Sequence, residues 1–460
     1  MVPATLFVAV SVYALINHLR IPFYDNWSLA PLYGKLEDGT LTVGDLFQLH
    51  GSHWHASGYA VMLANAKLTG MALWADVAAS LAVALLGYVG LIRIVDRTIA
   101  EGTGSTGSVG ERARGAARTA GRWRWALLAV VAVFYFSLDQ DENWLWGWQI
   151  ALFLSTTGTI WVIELLGRPG LRSGPVAAAG LAALVAVYGF ATAWGLLPIG
   201  LYLVWATPAA ARRRRLTVTI FWLLLFAALV FQYRSLNDTY AGEVTSDEWS
   251  PGVLIGHAGY IASYLGAGLM RSIPSLAAPL AVVGGLGFVA LLLGPDRPIR
   301  TVVVTHRGPL ALALFALGAA ALTALGRWAR FGADQAFTSR YVTFSNYFWI
   351  ALAVVLILAA YRSTGTRGRP LVLVALVGLI GLKAHQSATG TTMLDRARAA
   401  NGVVCDILDD YPELDRDTIG LVATPTQPIE RWMGILHRER VGIFRSDVVA
   451  DCARPAVDGG

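Results

Sequence analysis

Apolar runs follow one another along this chain at residues 2–18, 72–92, 125–138, 148–166, 176–190, 194–206, 216–233, 274–294, 309–325, 341–361 and 370–386. A helical crossing of a bilayer takes about 20 apolar residues, so the pattern predicts an all-α polytopic membrane protein with about eleven transmembrane helices. Charge tests that count. With the N-terminus in the cytoplasm, the inside segments are Arg93 to Arg124, Arg168 to Arg172, Arg212 to Arg215, Arg297 to Arg307 and Arg362 to Arg369. All are arginine-rich, as the positive-inside rule requires. Asp25, Glu37, Asp38, Asp45, Asp139, Asp141, Glu142, Asp238, Glu243, Asp247, Glu248 and Asp334 all fall on the other side.

Four segments need separate treatment. Residues 176–206 are too long for one upright crossing and short for two at about 1.5 Å per residue; two short or partly re-entrant helices meeting near Thr192 keep the later arginines inside. Residues 96–124, rich in Gly, Ser, Thr and Arg, read as a flexible cytoplasmic loop. Pro251 to Met270, its apolar content diluted by Gly, His257 and Tyr260, reads as an interfacial helix on the outer surface. Residues 388–460 are polar and form a small extracytoplasmic C-terminal domain, expected to be α/β, beside a membrane module of residues 1–387. The first run lacks a basic n-region and a cleavage site and reads as a retained span.

Composition agrees. Of 460 residues, 55% are hydrophobic and 14% charged, and the net charge of +6 reflects loop arginines and gives no ground for nucleic-acid binding. Cys405 and Cys452 both lie in the polar tail, where an oxidising compartment joins them in one disulfide.

The polar residues gather outside the spans. Residues 20–70 form the first outer loop, with helices expected over 43–49 and 59–68, and open with Phe23-Tyr24-Asp25-Asn26-Trp27. Asp25 follows a membrane helix directly, where it serves either as an interfacial anchor or as a chemical carboxylate. His50, His53, Trp54 and His55 lie in one short stretch; on a helix His50 and His53 share a face and His55 does not, which disfavours one metal site. Asp139 to Gln149 sets acids against Trp144, Trp146 and Trp148, a composition suited to an aromatic belt or to a sugar, whose C–H faces stack on indole. Arg327, Arg330 and Arg340 stand on the side where the positive-inside rule disfavours them. A lipid phosphate offsets that placement, because the guanidinium fork matches it.

Together these segments resemble the GT-C class of polytopic glycosyltransferases, which take sugars from polyprenyl phosphates. The resemblance rests on Phe23 to Trp27, His50 to His55, Glu142 to Gln149, and Gln335-Ala336 through Ser339-Arg340-Tyr341. It implies an inverting transfer with Asp25 as base, and a donor phosphate held by Arg340, Arg330 and Arg327. Substrate contacts then fall to His53, His55, Trp54, Glu142, Asn143, Trp146, Gln335 and Tyr341. The implied partners are a polyprenyl-phosphate-linked sugar, a glycan, lipid or protein acceptor, and membrane lipids. No metal and no cofactor are expected; Asp139, Asp141 and Glu142 are the acids a metal-dependent variant would use. The alternative from another class is a transporter or flippase of a lipid-linked saccharide. The spans carry few charges, Asp76 and Glu164 standing near helix ends, and this suits an enzyme working on one face of the membrane.

Overall fold

The computed structural model describes residues 1–51, 53–102, 111–236, 250–293, 305–362 and 368–453. Asp238, Glu243, Asp247, Glu248 and the arginine-bearing stretches 297–300 and 363–367 lie outside them. Helix α1 (Val2–Asn17) leads into a loop holding α2 (Leu29–Glu37), α3 (Val43–Leu46), a hairpin of β1 (Leu49–His50) and β2 (His53–Trp54), and α4 (Ala56–Thr69). Then come α5 (Leu73–Gly102), α6 (Glu111–Tyr135), the short α7 (Asp141–Leu145) and α8 (Ile150–Leu166). α9 (Ser173–Val187) and α10 (Leu196–Ala206) flank a 3-10 turn holding buried Thr192. α11 (Arg212–Leu236), α12 (Pro251–Met270), α13 (Pro274–Leu293), α14 (Arg307–Phe331), α15 (Val342–Arg362) and α16 (Gly368–Thr389) complete the bundle.

Eight of these helices are long and apolar enough to cross a membrane, and α1, α9 and α10 are shorter apolar helices. The chain is thus an all-α polytopic membrane protein. Between helices that share an apolar solvent, association relies on close packing, so small residues stand at the contacts. A Cβ on Gly266 of α12 would come within 1.8 Å of the Ala277 carbonyl of α13, and one on Gly200 within 2.2 Å of Trp222.

One end of the bundle is tied by ion pairs. Arg97 meets Glu164 at 2.8 Å, Arg124 meets Asp96 at 2.6 Å, and buried Arg307 pairs with Glu101 while donating to the Gly167 carbonyl. The segment 96–124, expected to be a flexible loop, lies at this end, with Asp96, Arg97, Glu101 and Arg124 in these pairs. Residues 96–102 and 111–124 are helical, and only 103–110 lie outside the described residues. Their Ala, Arg and Glu are good helix formers.

The opposite end carries the first loop, α7, the turns between α14 and α15, and the tail, and is called the site face here. Helix α12 stays close to it at both of its ends. Gly256 and His257 pack on Trp328 near the end of α14, while Arg271 and Ser272, just past α12, bond Thr392 and Gln386 near the end of α16. Such a course suits a helix lying along the surface, although its 20 residues also have the length and composition of a span.

The tail comprises α17 (Met393–Gly402), α18 (Val404–Asp410), α19 (Arg416–Gly420), α20 (Ile429–Glu439) and α21 (Ser446–Cys452). The expected α/β character is absent, since all its described elements are helical. A bond between Cys405 and Cys452 joins α18 to α21. Among the described residues, the buried apolar side chains of the tail pack in a cluster shared with the first loop. Leu19, Ile21, Phe23, Trp27, Tyr33 and Met62 of the first loop share one apolar cluster with Met393, Val422, Met433, Leu436 and Ile443. Loop and tail are thereby one layer over the bundle.

Candidate functional site

Asp25 lies on a 3-10 turn, Tyr24–Ser28, immediately after α1 and its extended exit. Its side chain is 38% exposed, and its Oδ1 stands 3.4 Å from His50 Nε2. His50 Nδ1 in turn faces the Tyr59 hydroxyl at 3.5 Å. His50 donates from Nε2 toward Asp25, its other ring nitrogen lies beside the Tyr59 hydroxyl, and burial pushes the Tyr59 phenol up to about 12. Burial pushes the Asp25 carboxyl up, but the His50 hydrogen bond and the nearby His50 and Arg340 charges outweigh it, so the group sits below its ordinary range. It is a carboxylate at neutral pH and reachable from solvent.

The histidines come together by a route the sequence reading missed. His50 and His53 lie on a hairpin, with Leu49 opposite Trp54 and His50 opposite His53, and His55 follows it as the N-cap of α4, so helical spacing does not apply. Ring centroids of His50 and His53 are 6.3 Å apart, those of His50 and His55 6.0 Å. His55 stacks on Trp148 at 4.1 Å, and Trp148 also meets His50 and Tyr59. His53 and His55 are buried, which lowers His53 to about 3 and His55 well below its usual value, so both are neutral. Among the described residues no His, Cys, Asp and Glu group is arranged to hold a metal ion.

Across from this cluster stands Arg340, its Nε 3.3 Å from Glu142 Oε1 and its side chain 30% exposed. Asn143 donates to the Arg340 carbonyl at 3.0 Å and to the Thr343 hydroxyl at 2.7 Å, holding the turn that presents the arginine. Ser339 donates to Asp141 at 2.8 Å, and Asp141 accepts the Met393 amide of the tail. Asp139 is wholly buried against Lys383, at 2.8 Å from its Nζ. Asp139 and Asp141 therefore serve the protein's own framework, and only Glu142 of the three acids faces the site arginine.

Other expected contacts are placed differently. Asn143 spends its amide internally, and Trp146 donates to Asn26 Oδ1 while packing on Phe23. Trp54, 1% exposed, packs among Tyr188, Trp194 and Tyr233. All three side chains are buried. Gln335 reaches the Tyr341 hydroxyl at 3.5 Å, and Tyr341 stacks on Tyr264. Arg327 and Arg330 lie over the Phe331 ring at the end of α14, and the Arg327 charge reaches His53.

Tyr59 and Lys383 are the residues missed, while Trp148 was singled out only as a member of the aromatic run. Lys383 had a signal, being the one lysine inside an apolar run, where an ionisable group demands a partner.

Tyr24 has a left-handed φ of 43°, a conformation costing a bulky L-residue about 1–2 kcal/mol. Its amide donates to the Val422 carbonyl at 2.7 Å, and its carbonyl accepts from Gln427 Nε2 at 2.9 Å. The tail thus reaches the residue next to Asp25.

No family model and no curated protein sequence matches this chain. Among solved structures, ArnT from Cupriavidus metallidurans bound to undecaprenyl phosphate is similar over 97% of this chain and 78% of its own, at 14% identity and a TM-score of 0.41.

Proposed function

We propose that this chain is a membrane glycosyltransferase moving a sugar from a polyprenyl-phosphate donor to a hydroxyl of a cell-envelope glycan, lipid or protein. The observation that carries the reading is a solvent-reachable carboxylate, Asp25, held ionised on the same face as a partly buried guanidinium, Arg340. That face is assigned to the extracytoplasmic side, because the described arginine-rich connections, with Arg97, Arg168 and Arg214, fall at the other end of the bundle.

Asp25 takes the proton of the acceptor hydroxyl as its oxygen attacks the anomeric carbon from the side opposite the phosphate. The new C–O bond forms while the bond to the phosphate oxygen breaks, and the electron pair leaves with the polyprenyl phosphate. Inversion results. The departing group is already an anion, so it needs charge stabilisation, which Arg340, with Arg327 and Arg330, supplies. His50, steadied by Tyr59, keeps Asp25 oriented. Glu142, His53, His55, Gln335 and Tyr341 border the space for sugar and acceptor.

The test is transfer of radiolabelled sugar from a panel of polyprenyl-phosphate donors in membranes with matched expression. Asp25→Asn should lower transfer by about 10²–10⁴-fold. Equal transfer by the variant refutes Asp25 as the base.

A further inference from the structure

We infer that the tail belongs to the catalytic apparatus, with Gln427 a positioning residue for Asp25; this rests on the reading of Asp25 as base. Tyr24 is left-handed, φ 43°, and a bulky residue keeps that conformation only where its surroundings over-determine it. The tail supplies the restraint. Val422 accepts from the Tyr24 amide at 2.7 Å, and Gln427 donates to the Tyr24 carbonyl at 2.9 Å. These two groups bracket the φ and ψ of one residue, so tying both sets the direction in which Asp25 leaves the chain.

Gln427 is itself held. Its Oε1 accepts from the Thr424 amide at 2.9 Å, which leaves Nε2 aimed at Tyr24. On the other side of Asp25, buried Trp27 donates its Nε1 to the same Val422 carbonyl at 3.2 Å. Asp25 therefore stands between two contacts to one tail segment, nearly 400 residues away along the chain, at separations of 395 and 403. The segment touches Asp25's neighbours and not the carboxylate, which makes its role orientation and not chemistry.

Gln427→Glu separates the two functions of the side chain. It retains an oxygen for Thr424 and sets an oxygen, in place of the N–H donor, against the Tyr24 carbonyl. Gln427→Ala removes both bonds. In the purified full-length protein, hydrogen–deuterium exchange of a peptide covering 21–28 should rise about five- to tenfold in both variants, with the spans unchanged. In the transfer assay kcat should fall about tenfold or more, since sub-ångström misplacement of a base is costly, while the donor KM stays within about twofold. Unchanged exchange over 21–28 overturns the inference. So does raised exchange with unchanged kcat, or a loss confined to KM. If wild type transfers from no donor, the glycosyltransferase reading falls, and exchange alone decides the clamp: a local rise upholds the hold of Gln427 on Tyr24 and no rise overturns it.

Discussion

Lys383→Met is the substitution whose cost the structure sets most clearly. Lys383 Nζ meets Asp139 Oδ2 at 2.8 Å and Oδ1 at 3.0 Å, the Gly268 carbonyl at 2.9 Å and Asn346 Oδ1 at 2.8 Å. Both charged side chains are 0% exposed. Methionine fills a similar volume, so the packing loss is small, and the main effect is to leave Asp139 buried without its cation. Breaking a buried pair by removing one partner costs about 3–5 kcal/mol, whereas replacing both partners is often neutral. Thermal unfolding in detergent, read by loss of the monodisperse chromatographic peak, should therefore show a drop of about 3–5 °C for Lys383→Met. The double variant Lys383→Met with Asp139→Asn should recover most of it. A single variant as stable as wild type, or a double variant showing the sum of the two single losses, refutes the assignment of this pair as the latch between α16, α15, α12 and the Asp139 turn.

Three further outcomes follow from the site. Arg340→Ala should weaken binding of a polyprenyl phosphate by about 10–100-fold, the range of a charge-assisted contact, and Glu142→Gln should tighten it by freeing the arginine of its 3.3 Å partner; equilibrium binding of labelled lipid phosphate checks both signs. Because Asp25 acts as carboxylate and its folded pKa is lowered, transfer should hold at neutral pH and fall only as pH drops through that lowered value. His50→Gln weakens what lowers it, so the acid limb of the rate profile should move to higher pH. Cys405→Ser should remove the cross-link over a separation of 47 residues, worth about 4 kcal/mol in a loop-entropy account, and limited proteolysis should cut faster between α18 and α21.

The bilayer made much of this protein legible in advance. Lipid tolerates only runs of apolar residues with internally bonded backbone, so each crossing had to be written as a contiguous stretch. Arginines had to gather on one side, and the broken pair α9 and α10 had to turn near Thr192. The position of Asp25 in the segment that follows α1 was readable for the same reason. Compositional reading failed where local pattern is thin. Strands of two residues carry no periodicity, so the His50–His53 pairing was invisible, and an Ala- and Arg-rich helix resembled a linker. Only the tertiary structure decided which long-range partners meet: Asp139 with Lys383 across 244 residues, and Tyr24 with Gln427 across 403. Those contacts depend on shape, burial and the need of each enclosed polar group for a partner, none of which is a property of any single stretch of chain.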